Sequence, residues 1–60
     1  MTFEHYVRQL RIERAKQLLG VTDLSAEKVG QLSGFPVRPY FYRVFKEIVG
    51  VTPAAYRRSR

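Results

Sequence analysis

Residues 25–45, SAEKVGQLSGFPVRPYFYRVF, hold the order of caps, apolar positions and helix breakers that decides the fold of this 60-residue chain. Ser25 is an N-cap for a short helix over residues 26 to about 32, because its hydroxyl can accept an amide hydrogen that a first turn leaves unpaired. Leu24 before that cap and Val29 at the fourth helical position make a hydrophobic staple, and Glu27 suits the positive end of the helix dipole. Residues 33–35, SGF, form the turn, where Gly34 can take a positive φ without steric cost. A third helix follows from about residue 39 to 49 and is ended by Gly50. Phe41, Val44, Phe45 and Ile48 follow the i, i+3, i+4, i+7 rule and are expected in the core. Pro39, Tyr42, Arg43 and Lys46 obey the same spacing displaced by about 160°, so they share an outer face that is cationic and aromatic. An ordinary solvated face is the alternative for that stripe.

Gly30 sits in the middle of the short helix, where glycine costs about 1 kcal/mol relative to alanine. Close approach of the following helix explains its presence. A short helix, a glycine turn and a second helix with an apolar inner and a basic outer face are the helix-turn-helix pattern, whose second helix enters a DNA major groove. A helical hairpin with no ligand has the same outline. Upstream, Thr2 caps a helix over residues 3 to about 19 that Gly20 is expected to stop. Downstream, Thr52 and Pro53 open a last short helix, with Tyr56 expected in the core. No segment alternates as a strand does. The expected fold is all-α, with a linker helix over residues 1–20 and a helix-turn-helix unit with a short closing helix over residues 21–60.

A chain of 60 residues buries about 60% of its unfolded surface, which leaves little room for a catalytic cleft. It has no cysteine, so disulfides and thiolate metal sites are excluded and a reducing, cytoplasmic setting fits. No apolar run approaches the roughly 20 residues of a membrane span. Eleven Lys and Arg against five Asp and Glu give a net charge of +6, which favours polyanionic partners. His5 is the only histidine and reads as solvated, and the acidic residues Glu4, Glu13, Asp23, Glu27 and Glu47 stand singly. No P-loop, nucleophile elbow or paired-acid motif occurs, so no enzyme activity, catalytic residue, metal site or cofactor is expected.

Over residues 11–58 the markers R-x-x-x-A-x-x-L-L, L-S, G-F, Y-F-x-R-x-F-K and G-V-T-P-x-x-Y-R occur in order. In these the chain closely resembles the C-terminal DNA-binding region of the AraC/XylS family of bacterial transcriptional regulators. The resemblance implies a homeodomain-like helix-turn-helix unit behind a long linker helix, double-stranded DNA as partner, and a preceding unit of the same kind. An internal echo agrees: MTFEHYVR at residues 1–8 matches VTPAAYRR at residues 51–58 through Thr2 and Thr52, Tyr6 and Tyr56, and Arg8 and Arg58. Residues 1–8 then read as the tail of an earlier unit. Helical geometry adds a further argument, because Phe3, Tyr6, Val7 and Leu10 centre roughly 140° away from Ile12, Ala15, Leu18 and Leu19. The second stripe closes on this chain's own helices, and the first is left for the preceding unit or for a homodimer.

By position, the resemblance places the family's base readers on Arg38, Pro39, Tyr42 and Arg43. Where the family carries polar residues after G-F, this chain has Pro36 and Pro39. A proline in a first turn loses no intrahelical bond and biases the residue before it to extended geometry, so the recognition helix is expected to begin near Arg38 or Pro39. Arg38 or Arg43 can bond guanine O6 and N7, and Pro39 can touch a thymine methyl. Ser25, Lys28, Arg43 and Lys46 are expected at phosphates, which are met by cations and helix N-termini. Arg57, Arg58 and Arg60 read as a frayed, solvated basic tail. Two other functions share these features. A helical protein-interaction module, such as a contact for RNA polymerase, would not depend on Arg43 as a base reader. A membrane-surface peptide would need one continuous amphipathic helix, against which Gly20, Gly34, Gly50 and the prolines argue.

Overall fold

Three hydroxyl side chains start three of the helices. In a computed structural model describing residues 2–59, Thr2 Oγ1 accepts from the His5 N–H at 3.1 Å, Ser25 Oγ from the Lys28 N–H at 3.1 Å, and Thr52 Oγ1 from the Ala55 N–H at 3.2 Å. They open α1 (Phe3–Val21), α2 (Ala26–Leu32) and α4 (Pro53–Arg58). The remaining helix, α3 (Arg38–Val49), starts differently: Val37 occupies the N-cap with extended backbone and no side-chain bond, and Pro39 lies in the first turn. Proline needs no amide partner there, so the two helix breakers fix where α3 begins instead of interrupting it. The start at Arg38 agrees with the expectation. All regular structure among the described residues is helical, and none of these helices is long and apolar enough to cross a membrane.

α1 ends later than expected. Gly20 continues the helix, which runs to Val21, because its stop is made by Thr22 and not by glycine. The Thr22 backbone turns extended while its N–H and Oγ1–H both donate to the Leu18 carbonyl, at 3.0 and 2.6 Å. Gly20 does not take the positive φ of a glycine stop, unlike Gly34 and Gly50, both at φ +99°.

Ile12, Ala15 and Leu19 of α1, Val29 of α2, and Phe41, Val44 and Phe45 of α3 enclose one core, with Leu18, Leu24, Val49 and Tyr56 packed on its margin. Phe35 joins it from the turn between α2 and α3 and is 2% exposed. Its ring lies 5.3 Å from Phe41, which lies 5.8 Å from Phe45, which lies 5.8 Å from Tyr56, so an aromatic chain links the turn to α4. Tilted or edge-on rings at such spacing add about 0.5–1.5 kcal/mol per pair beyond their burial. Ile48 departs from the expected core stripe and is 37% exposed. It lies in the last turn of α3, where Val49 packs on the cluster in its place.

Two glycines let this core close. A Cβ at Gly30 would stand 2.7 Å from Cδ2 of Phe41, so α2 and α3 approach only because no side chain intervenes. Gly34 takes the left-handed conformation, and the Phe35 N–H then reaches back to the Gly30 carbonyl at 2.7 Å. That bond drives Phe35 inward.

Candidate nucleic-acid interface

With Phe41, Val44 and Phe45 turned into the core, helical periodicity sends Pro39, Tyr42, Arg43 and Lys46 to the other side, where all four are exposed. Arg38, the first residue of α3, has a side chain 59% exposed. The sequence-derived base readers Arg38, Pro39, Tyr42 and Arg43 therefore share one accessible surface, and Lys46 extends it by a turn. Tyr42 is the least open of the exposed aromatics at 38%, its ring edge-on to Phe41 with the centroids 5.7 Å apart.

The N-terminus of α2 abuts that of α3. Arg38 Nη1 lies 3.6 Å from Glu27 Oε1, an ion pair between half-exposed side chains on the two helices. Ser25 and Lys28, both exposed, belong to the same first turn of α2. Although the Lys28 N–H is taken up by Ser25 Oγ, the positive dipole of that turn suits it to a phosphate oxygen. The positions expected at phosphates thus flank those expected at bases.

Three residues make contacts that sequence reasoning does not reach, although the mixed core-and-surface reading of Tyr40 matches its packing. Glu27 suits its own helix dipole by position; its partner Arg38 is too distant in sequence for helical spacing to reveal. Tyr40 packs on Phe35 at 6.0 Å and carries the Arg43 guanidinium 5.7 Å above its ring, an i, i+3 relation that the sequence does contain. Arg57 is not a frayed end. Its Nε donates to the Leu19 carbonyl at 3.3 Å and Nη2 to the Thr22 carbonyl at 3.2 Å, tying α4 to the last turn of α1. A planar guanidinium can bridge two carbonyls at a helix C-terminus, which overrides the solvation expected of a terminal arginine. Arg58 stays exposed, and Arg60 lies outside the described residues.

Comparison with known proteins agrees with this fold. A family model described as a helix-turn-helix domain matches residues 1–59. The HTH-type transcriptional activator RhaR of Enterobacter sp. (strain 638) is 48% identical over 61 residues, covering 100% of this chain and 22% of the relative. The MmsAB operon regulatory protein of Pseudomonas aeruginosa is 43% identical, covering 90% of this chain and 17% of the relative. Among solved structures, the C-terminal domain of AraT, a response regulator from Geobacillus stearothermophilus, superimposes with a TM-score of 0.96 at 35% identity, over 100% of this chain and 50% of that one. The chain therefore spans about a fifth of the length of these curated relatives. Its helices, its turn glycine and its two-faced α3 are those of a DNA-binding module, and the chain belongs to the AraC/XylS family of transcriptional regulators as a helix-turn-helix unit.

Proposed function

We propose that this chain reads double-stranded DNA sequence-specifically within a bacterial transcriptional regulator working in the cytoplasm, with α3 lying in the major groove. The observation that carries the reading is the two-sidedness of α3, enclosed at Phe41, Val44 and Phe45 and open at Arg38, Pro39, Tyr42, Arg43 and Lys46. A helix about 10–12 Å across fits a major groove about 12 Å wide. Arg38 and Arg43 offer bidentate bonds to guanine O6 and N7, Tyr42 reaches a base edge, and Pro39 presents carbon to a thymine methyl. Ser25 and Lys28 at the start of α2, with Lys46 and Arg43 on α3, hold phosphates and set the register.

The test is an electrophoretic mobility shift over a range of salt, on a duplex selected from a randomised pool and on random duplex. With Lys28, Arg43 and Lys46 at phosphates, log affinity falls against log salt with a slope of about −3, while the preference for the selected duplex persists. Equal affinity for both duplexes at every salt concentration rejects sequence reading.

The same reading gives the N-terminal half of α1 a partner. Phe3, Tyr6 and Leu10 are 80%, 53% and 52% exposed, and Val7 is half-buried beside them. Thr2 and Thr52 make the same cap, yet Tyr56 rests on Phe45 whereas its counterpart Tyr6 stands open. A preceding helix-turn-helix unit, supplying Tyr6 with its own equivalent of Phe45, is the occupant that this echo favours. Sedimentation of the 60-residue chain across concentrations separates it from a homodimer through the same stripe. A constant monomer mass is expected, and a rising mass replaces the reading.

A further inference from the structure

We propose that Glu27 is a positioning residue for base reading, its carboxylate holding Arg38 in the pose from which the guanidinium meets a base pair. The inference rests on the reading of Arg38 as a base contact. Arg38 is the first residue of α3, where a cation faces the positive end of the helix dipole, and the first turn of α3 contains no acidic residue. The compensating charge comes from the neighbouring helix, through Glu27 Oε1 at 3.6 Å from Nη1. Glu27 itself occupies the first turn of α2, where a carboxylate is favoured, so its backbone is anchored independently of Arg38.

An arginine side chain 59% exposed has many rotamers to lose on binding. A carboxylate at ion-pair distance from Nη1 favours the rotamers that keep the two charges together and leaves the N–H donors on the far edge for guanine O6 and N7. A carboxylate near the phosphates also repels every duplex equally. Glu27 therefore lowers affinity for all duplexes alike, and any discrimination it adds comes through the pose of Arg38.

The experiment measures fluorescence anisotropy of the full chain on the selected duplex, on its single-base-pair variants and on random duplex. The proteins are the parent, Glu27→Gln, Arg38→Ala and the double variant, each checked for folding by thermal melting. Arg38→Ala is expected to erase discrimination at one base pair. Glu27→Gln is expected to lower discrimination at that same pair about threefold, the scale of an exposed ion pair, while affinity for random duplex rises. The double variant should discriminate no less than Arg38→Ala alone. Discrimination lost in Arg38→Ala but kept in Glu27→Gln overturns the positioning role and leaves the base-reading role standing. Discrimination kept in both variants overturns both. A gain in discrimination for Glu27→Gln also overturns the proposal, because it makes the carboxylate a competitor of the base for Arg38.

Discussion

At the scale of single residues, Gly30 sets propensity against packing. Alanine is the better helix former by about 1 kcal/mol, but its methyl would lie 2.7 Å from a fully buried Phe41 ring. The ring is enclosed on all sides, so the clash wins, and Gly30→Ala should destabilise the chain by about 1–3 kcal/mol in urea unfolding. On the outer face the same logic divides the cations by what they touch. Arg38→Ala should remove about 1–3 kcal/mol of discrimination at one base pair, whereas Lys46→Ala should weaken all duplexes alike and flatten the salt slope by about 1. Gly30 was legible in the sequence, because a mid-helix glycine has few reasons to exist other than a neighbour's approach. Phe35 was not: helical periodicity stops in a turn, and its burial depends on the bond that Gly34 lets its backbone make. The spacing that placed Phe41, Val44 and Phe45 inside also claimed Ile48, since periodicity gives a direction but not the point at which the neighbouring helices end.

At the scale of elements, the α1 C-terminus and α4 are stabilised through one side chain. Arg57 meets the Leu19 and Thr22 carbonyls, both part-buried contacts, so Arg57→Ala should cost about 1–2 kcal/mol by thermal denaturation. Lysine, a point charge on a flexible stem, should recover only part of that loss, because it lacks the planar fork that reaches both carbonyls. Helix starts were legible at Thr2, Ser25 and Thr52 because a cap acts within three residues along the chain. The end of α1 was not, because Thr22 and Arg57 share the task from positions 35 residues apart. The start of α3 was also readable, since proline restricts its neighbour whatever the tertiary context.

At the scale of the whole molecule, two surfaces differ in chemistry: the cationic face of α3 and the apolar N-terminal half of α1. The echo between residues 1–8 and 51–58 gives a paired prediction about the second surface. Tyr6→Ala in the 60-residue chain should change stability by no more than about 0.5 kcal/mol, as surface substitutions do. Tyr56→Ala, which removes the ring packed on Phe45, should cost about 2–3 kcal/mol, somewhat below the range for a fully buried aromatic. A net charge of +6 is visible to anyone counting residues, yet it says nothing of direction. The direction comes from the core, which turns three apolar residues of α3 inward and so commits Tyr42, Arg43 and Lys46 to the outside. That commitment is tested most directly by titrating the isotope-labelled chain with the selected duplex and following backbone amide resonances. The amides of Arg38, Tyr42, Arg43 and Lys46 should shift together with those at the start of α2, while those of Glu13, Arg14 and Gln17 stay in place. Shifts concentrated on α1, with α3 unmoved, would contradict the assignment of α3 as the element that meets DNA.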